Sequence, residues 1–201
     1  MHHHLLDART IILRWKADMF NKLFFILALL SISGQSLAQI PLSGNKHIYL
    51  IDIKGNELMI GDVQFSTKAD KTSYQIHVDH RLFKDFFLSM KEMKCLEGPE
   101  LWCHLPYPYL NPREISQNDL TWLAHDLLFM YKKKNKFGAD FYNGIYYQLD
   151  LNEGVIIGTA QAVNLNLLAS APDDLNLAPI TEVELDEIEE NLRWLPKIEI
   201  R

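Results

Sequence analysis

Past residue 38 the 201-residue chain holds five histidines, and one short run, His77-Val78-Asp79-His80, sets two of them around a carboxylate. An imidazole oriented by a carboxylate is the usual equipment of general acid/base catalysis. With further ligands, the same residue types hold a catalytic metal, which needs three or four converging donors. On a strand His77 and Asp79 share one face and His80 points the other way, unless a bend at the strand end gathers them. A hydrolase built on His77, Asp79 and His80, helped by His104 or His125, is therefore one reading. Exposed polar residues at a strand end are the other. Nothing else in the chain narrows the chemistry. There is no Gly-x-Ser-x-Gly elbow, His-Glu-x-x-His, phosphate loop or dinucleotide fingerprint, and no Asp-x-Asp-x-Asp-Gly calcium loop. No cofactor and no metal site is expected.

A second group of residues suits binding rather than catalysis. His104-Leu105-Pro106-Tyr107-Pro108-Tyr109, followed by Pro112, places three prolines in seven residues. Proline fixes φ and removes amide donors, so the run forms a stiff strap rather than a central strand. Tyr107 and Tyr109 either cover the core or line a groove. Trp122, His125 and Phe129 recur at i, i+3 and i+7 and form an aromatic stripe on one side of an expected helix. That stripe either packs a second layer or receives a ligand.

The elements that must carry these groups follow from periodicity. Leu120, Leu123, Ala124, Leu127, Leu128 and Tyr131 predict a long amphipathic helix over 119–134, started by Ser116 and Asp119 and finished by Lys132, Lys133, Lys134 and Lys136. His47–Ile53 and Leu58–Phe65 flank a Lys54-Gly55-Asn56 turn and predict a hairpin. A second hairpin joins Ile145–Leu151 to 155–167 through Asn152-Glu153-Gly154. Strands are expected at 73–79, at 84–94 running into Cys95, and at 197–200. Ile48–Gln64 and Ile145–Gln161 also match in Ile-Tyr, Asp, turn, apolar triplet, Gly and Gln. This is either an internal repeat, with Gly61 and Gly158 at equivalent bends, or a resemblance of composition. Thr181 and Glu184 form a capping box, so the acidic tail is expected to end in a short surface helix. The fold class predicted is α+β: mainly antiparallel β-sheet, a partly closed barrel if the two hairpin halves are related, with one long amphipathic helix and a short acidic C-terminal helix.

Residues 1–38 read as an address. Lys22, an apolar run over 23–32 and Ser36-Leu37-Ala38 have the pattern of a signal peptide cleaved after Ala38. The run is shorter than the roughly 20 apolar residues that span a bilayer. Met19 stands where such a peptide starts, so residues 1–18 read as an upstream start-site extension, 19–38 as the signal peptide and 39–201 as a single exported domain. Residues 1–38 contain four basic and two acidic residues, which leaves 163 residues with 16 basic, 24 acidic and a net charge of −8. That balance argues against nucleic acid as a partner. Export to the periplasm or beyond also changes the two cysteines, because thiols there are held oxidised. A Cys95–Cys103 disulfide across the Gly98-Pro99 turn is expected, rather than a redox pair, since the spacing is not Cys-x-x-Cys.

The segments CLEGPELWCHLPYPY and YNGIYY resemble those of a group of exported proteobacterial proteins to which no activity is attached. The resemblance implies bacterial export and adds no catalytic residue. The function expected is that of a non-catalytic binding or envelope-associated domain. Its partner would be a small apolar ligand or an envelope protein, engaged through Tyr107, Tyr109, Trp122, His125 and Phe129, with no stable membrane span after cleavage. The metal-dependent or acid/base hydrolase is the alternative.

Overall fold

Alternating burial along the chain builds one antiparallel sheet. The computed structural model describes residues 42–201 apart from Asp70, Met90 and Lys91; the start-site and signal-peptide readings fall outside these residues. Strands β1 (Gly44–Ile51), β2 (Glu57–Lys68) and β3 (Lys71–Val78) form a meander. They are followed by β4 (Lys84–Phe87), β5 (Glu92–Glu97), β6 (Glu100–His104) and the two-residue β7 (Glu114–Ile115). A single helical turn and a half, α1 (Thr121–Asp126), precedes β8 (Phe129–Lys133), β9 (Gly144–Asn152), β10 (Val155–Val163), β11 (Leu185–Glu187) and β12 (Lys197–Ile200). The strand order is β4-β5-β6-β8-β9-β10-β12-β1-β2-β3-β7, with β11 added beside β10.

The main core takes Ile48, Leu50, Ile60, Val63, Tyr74, Leu96, Trp102, Phe129, Tyr147, Ile156, Ile198 and Ile200 into one contiguous cluster. These residues come from strands across almost the whole order, so the sheet curls and turns one face inward on a single core. In β2 a bulge opposite Ile48/Tyr49 makes Ile60 the extra residue and keeps both Ile60 and Val63 pointing inward. Gly61 follows the bulge. A Cβ there would lie 2.1 Å from the His77 carbonyl, so only glycine lets β3 approach.

The opposite, outer face carries a second and smaller core of Met93, Cys95, Leu101, Cys103, Leu128, Met130, Tyr146, Val163, Leu165 and Ile180. Cys95 and Cys103 stand directly opposite in the β5–β6 ladder and are disulfide-bonded, as the sequence predicted.

Several sequence expectations are corrected, the α+β class among them. The molecule is nearly all antiparallel β-structure, and the long helix over 119–134 is replaced by α1, six residues long, and then β8. From Phe129 onward the side chains alternate: Phe129 enters the main core and Met130 the outer one. Tyr131 follows Phe129 inward, so a period of 2 wins where a period of 3.6 also fitted. The lysines are not a helix end. The acidic tail forms no α-helix either: Glu182–Glu184 and Glu190–Leu192 are 3₁₀ turns on either side of β11. The capping pair is real, with the Thr181 amide and hydroxyl both donating to the Glu184 carboxylate, but only one turn follows. The single strand expected over 84–94 is the β4–β5 hairpin instead, pairing Lys84 with Cys95. The two similar hairpins are present but not equivalent. Gly61 pairs with Ile48 at a bulge, whereas Gly158 pairs with Leu149 in an unbroken ladder. They also meet β12 through different strands, one through its first (β1) and the other through its second (β10). The paired-halves barrel is therefore withdrawn. Among the described residues no helix is long and apolar enough to cross a membrane.

Candidate functional site

The strap leaves β6 at His104 and runs beside the α1–β8 corner. Leu105 and Tyr107 donate their amides to the carbonyls of Leu128 and His125, while Pro106 and Pro108, which have no amide to donate, alternate with them. The alternation lets a proline-rich segment follow a neighbouring chain without an orphaned donor. Further along, the Tyr109 hydroxyl donates to the Leu168 carbonyl at 2.9 Å and ties the strap to the 3₁₀ turn Leu165–Leu168. That turn is anchored in its own right: Asn164 caps it, and the Leu165 amide donates to the Phe141 carbonyl. Between strap and turn lies a cavity of about 320 Å³ lined by Leu105, Pro106, Pro108, Phe141, Leu165 and Leu168. Its walls are almost wholly apolar, and its size is at the lower end of small-molecule sites.

Behind the strap the structure gathers four of the five aromatic residues predicted to bind. Tyr107 meets the rings of Tyr109, Trp122 and His125 at 5.5, 5.8 and 5.4 Å between centroids, and His125 also meets Tyr146 at 5.6 Å. Edge-to-face contacts of this kind stabilise beyond the area they bury. His125 is fully buried, with Nδ1 2.8 Å from the Thr121 carbonyl and Nε2 3.3 Å from the Ile180 amide. The second contact requires Nε2 to accept, so Nδ1 carries the proton and the ring is neutral; burial lowers its pKa in agreement. With both nitrogens engaged, His125 acts as a structural pin. The Tyr107 hydroxyl is buried without a hydrogen-bond partner among the described residues. Phe129 does not join this group, because it lies in the main core against Trp102 and Tyr147.

The histidine run is not assembled for catalysis. Both oxygens of Asp79 are taken by Arg81, from Nε at 2.8 Å and Nη2 at 2.7 Å, and this pairing holds the Asp79 carboxyl down at about 2. His77 is exposed on β3, and His80 turns its ring to Phe83 and to His104, 6.0 Å away between centroids. His104 bonds through Nε2 to the Asp126 carbonyl at 2.9 Å, and burial lowers its pKa to about 4. Among the described residues no three His, Cys, Asp or Glu side chains are placed to share a metal ion.

A polar latch fixes α1 across the sheet. The Tyr74 hydroxyl lies 2.8 Å from the Trp122 carbonyl and 3.0 Å from Asp126 Oδ2, and Asn111 Nδ2 donates to the same Trp122 carbonyl. Arg113 Nε stands 3.6 Å from Asp126, whose carboxyl is nonetheless pushed up by burial.

No family model, curated protein or solved structure matches the chain. The reading of the site therefore rests on its geometry alone. Sequence reasoning missed Phe141, Leu165 and Leu168, which form one wall of the cavity. The leucine pair three apart in Asn164-Leu165-Asn166-Leu167-Leu168 was the available signal, hidden by the expectation of a strand through 167.

Proposed function

We propose that the chain is an exported, non-catalytic binding domain that takes a small apolar ligand in the cavity under the proline strap. The observation that carries this reading is the cavity itself: about 320 Å³, open to the surface and with almost wholly apolar walls. Two features support it. The strap is rigid and fastened at both ends, so the cavity is preformed and little ordering entropy opposes binding. Asn166, at the rim of the same cavity, is the polar side chain among its walls that could orient a ligand. The hydrolase reading gains no comparable support, since Asp79 is committed to Arg81. Export rests on the leader pattern and agrees with the disulfide.

For the test, the full chain is expressed in a proteobacterial host and recovered from the periplasm, where a mature terminus at Gln39 reports cleavage. It is then titrated with N-phenyl-1-naphthylamine and fluorescence is followed. Saturable enhancement is expected, weakened at least tenfold in Leu168→Asp, which places a carboxylate in the cavity and keeps the backbone carbonyl that anchors Tyr109. Absence of saturation, or equal affinity in the variant, overturns the reading.

A further inference from the structure

A second concavity lies on the same outer face, across the 134–143 loop from the strap. Its volume is about 310 Å³, with Phe86, Phe87, Leu88 and Phe137 as apolar walls, Lys132, Lys134 and Lys136 as its cations and Glu97 as its one acid. Lys132 is the unusual member. It projects from β8 onto the outer face beside Leu101 and is 4% exposed, and among the described residues its ammonium donates to the Lys136 carbonyl. A buried cation is ordinarily matched by a carboxylate, because desolvation is otherwise uncompensated. Glu97 stands in the same row of the sheet, its backbone two strands from that of Lys132 and so roughly 10 Å away at sheet spacing. Glu97 is already shared by Lys84 and Lys134. Lys132 and Lys136 have no carboxylate within ion-pair distance among the described residues. The site thus carries a surplus of positive charge in a protein of net charge −6, next to two of its most exposed aromatic side chains, Phe87 at 79% and Phe137, wholly in solvent.

We infer that this groove binds a single-chain anionic amphiphile, its carboxylate-type head against Lys132 and Lys136 and its hydrocarbon tail along Phe86, Phe87, Leu88 and Phe137. The charge surplus specifies an anion, and the phenylalanines specify that the anion has an apolar tail. The occupant supplies the counter-charge that the fold leaves out and covers aromatic surface that water now wets. The site stands independently of the strap cavity.

Calorimetric titration of the disulfide-bonded protein with decanoate, decan-1-ol and acetate tests it. Decanoate is expected to bind at least tenfold more tightly than either the neutral alcohol or the tail-less anion. Lys132→Met is expected to weaken decanoate tenfold or more with an unchanged or higher Tm, since an unpaired buried charge has been removed. Phe137→Ser, at a fully exposed position, is expected to weaken it without touching the fold. Leu168→Asp, which puts a charge in the strap cavity, should leave decanoate binding as it was, so failure of one site is distinguishable from failure of the other. Equal binding of decan-1-ol or acetate overturns the inference. So does unchanged decanoate affinity in both groove variants, loss of it in Leu168→Asp, or binding to vesicles of anionic phospholipid with none to free decanoate.

Discussion

The inner face of the sheet is closed mainly by its own strands, with Leu120 and Leu123 at α1 and Leu195 completing the core: Trp102, Phe129 and Tyr147 pack ring against ring, and the buried Tyr147 hydroxyl finds the Leu195 carbonyl at 2.9 Å. The outer face is finished by irregular chain, namely the proline strap, the 134–143 loop and the 165–168 turn, and there lie the strap cavity, the groove beside Lys132 and the Tyr107 hydroxyl; on the inner side Arg193 Nε is the buried atom without a partner among the described residues. Strands that curl on their own core can fill it to the density of a crystal, whereas loops laid over a strand surface leave gaps between their anchor points. On the proposed function, stability and binding would fall on opposite faces of the same strands, β6, β8 and β9.

If that division holds, truncation on the two faces has unequal costs. Trp102→Ala on the inner face is expected to lose about 3–5 kcal/mol, as large-to-small changes in a closed core do. Leu105→Ala, half-buried on the outer face, is expected to lose roughly 1 kcal/mol because its side chain already borders empty space. Urea unfolding measures both, and equal losses would break the comparison.

A sharper test uses His104, on the inner side at the sheet's edge near Phe83 and Phe129. Its folded pKa of about 4 lies below the ordinary 6.5, so the unfolded chain takes up a proton that the folded chain refuses. This contribution is complete above pH 6.5, is lost as pH falls from 6.5 toward 4, and stays level below that, with an amplitude of about 3 kcal/mol. Asp126, whose carboxyl is pushed up, acts in the opposite sense at low pH, so the difference between wild type and His104→Gln isolates the histidine. A flat difference between pH 7 and 4 would mean that His104 takes up its proton as readily in the folded chain as in the unfolded one.

The disulfide belongs to the outer face, where it is fully buried in the second core. Replacing Cys95 and Cys103 together by serine relaxes a short loop in the unfolded chain and is expected to cost roughly 2–3 kcal/mol. The loss should appear in urea midpoints, with binding at the strap cavity retained by the folded fraction. Loss of binding in that fraction would mean that the cross-link shapes the site itself.

The same division explains what the sequence could show. The β1–β2 and β9–β10 hairpins were legible because their turns are locally encoded. Asp52 accepts the Lys54 and Asn56 amides ahead of Gly55 at φ +81°, and Glu153-Gly154 both take positive φ in a two-residue turn. The disulfide was legible from compartment and spacing. The stretch 127–133 was not, because a strand with apolar cover on both faces loses its alternation, and Leu127, Leu128 and Tyr131 then fit a helix equally well. The aromatic cluster was half legible: Trp122 and His125 share a helical face, but Tyr107 and Tyr146 arrive from elements far along the chain. The cavity was not legible at all, since its walls, 105–108 and 165–168, are some sixty residues apart and are brought together by the second core and the Tyr109–Leu168 bond.

The most direct test of the central claim is a map of amide and indole chemical-shift changes as N-phenyl-1-naphthylamine is added to the folded protein. The account predicts saturable changes confined to residues 105–109, Phe141 and 165–169, with the Trp102 indole, bonded to Glu100 on the inner face, unmoved. Changes centred on Trp102 and Tyr147, or no saturable change anywhere, would contradict it.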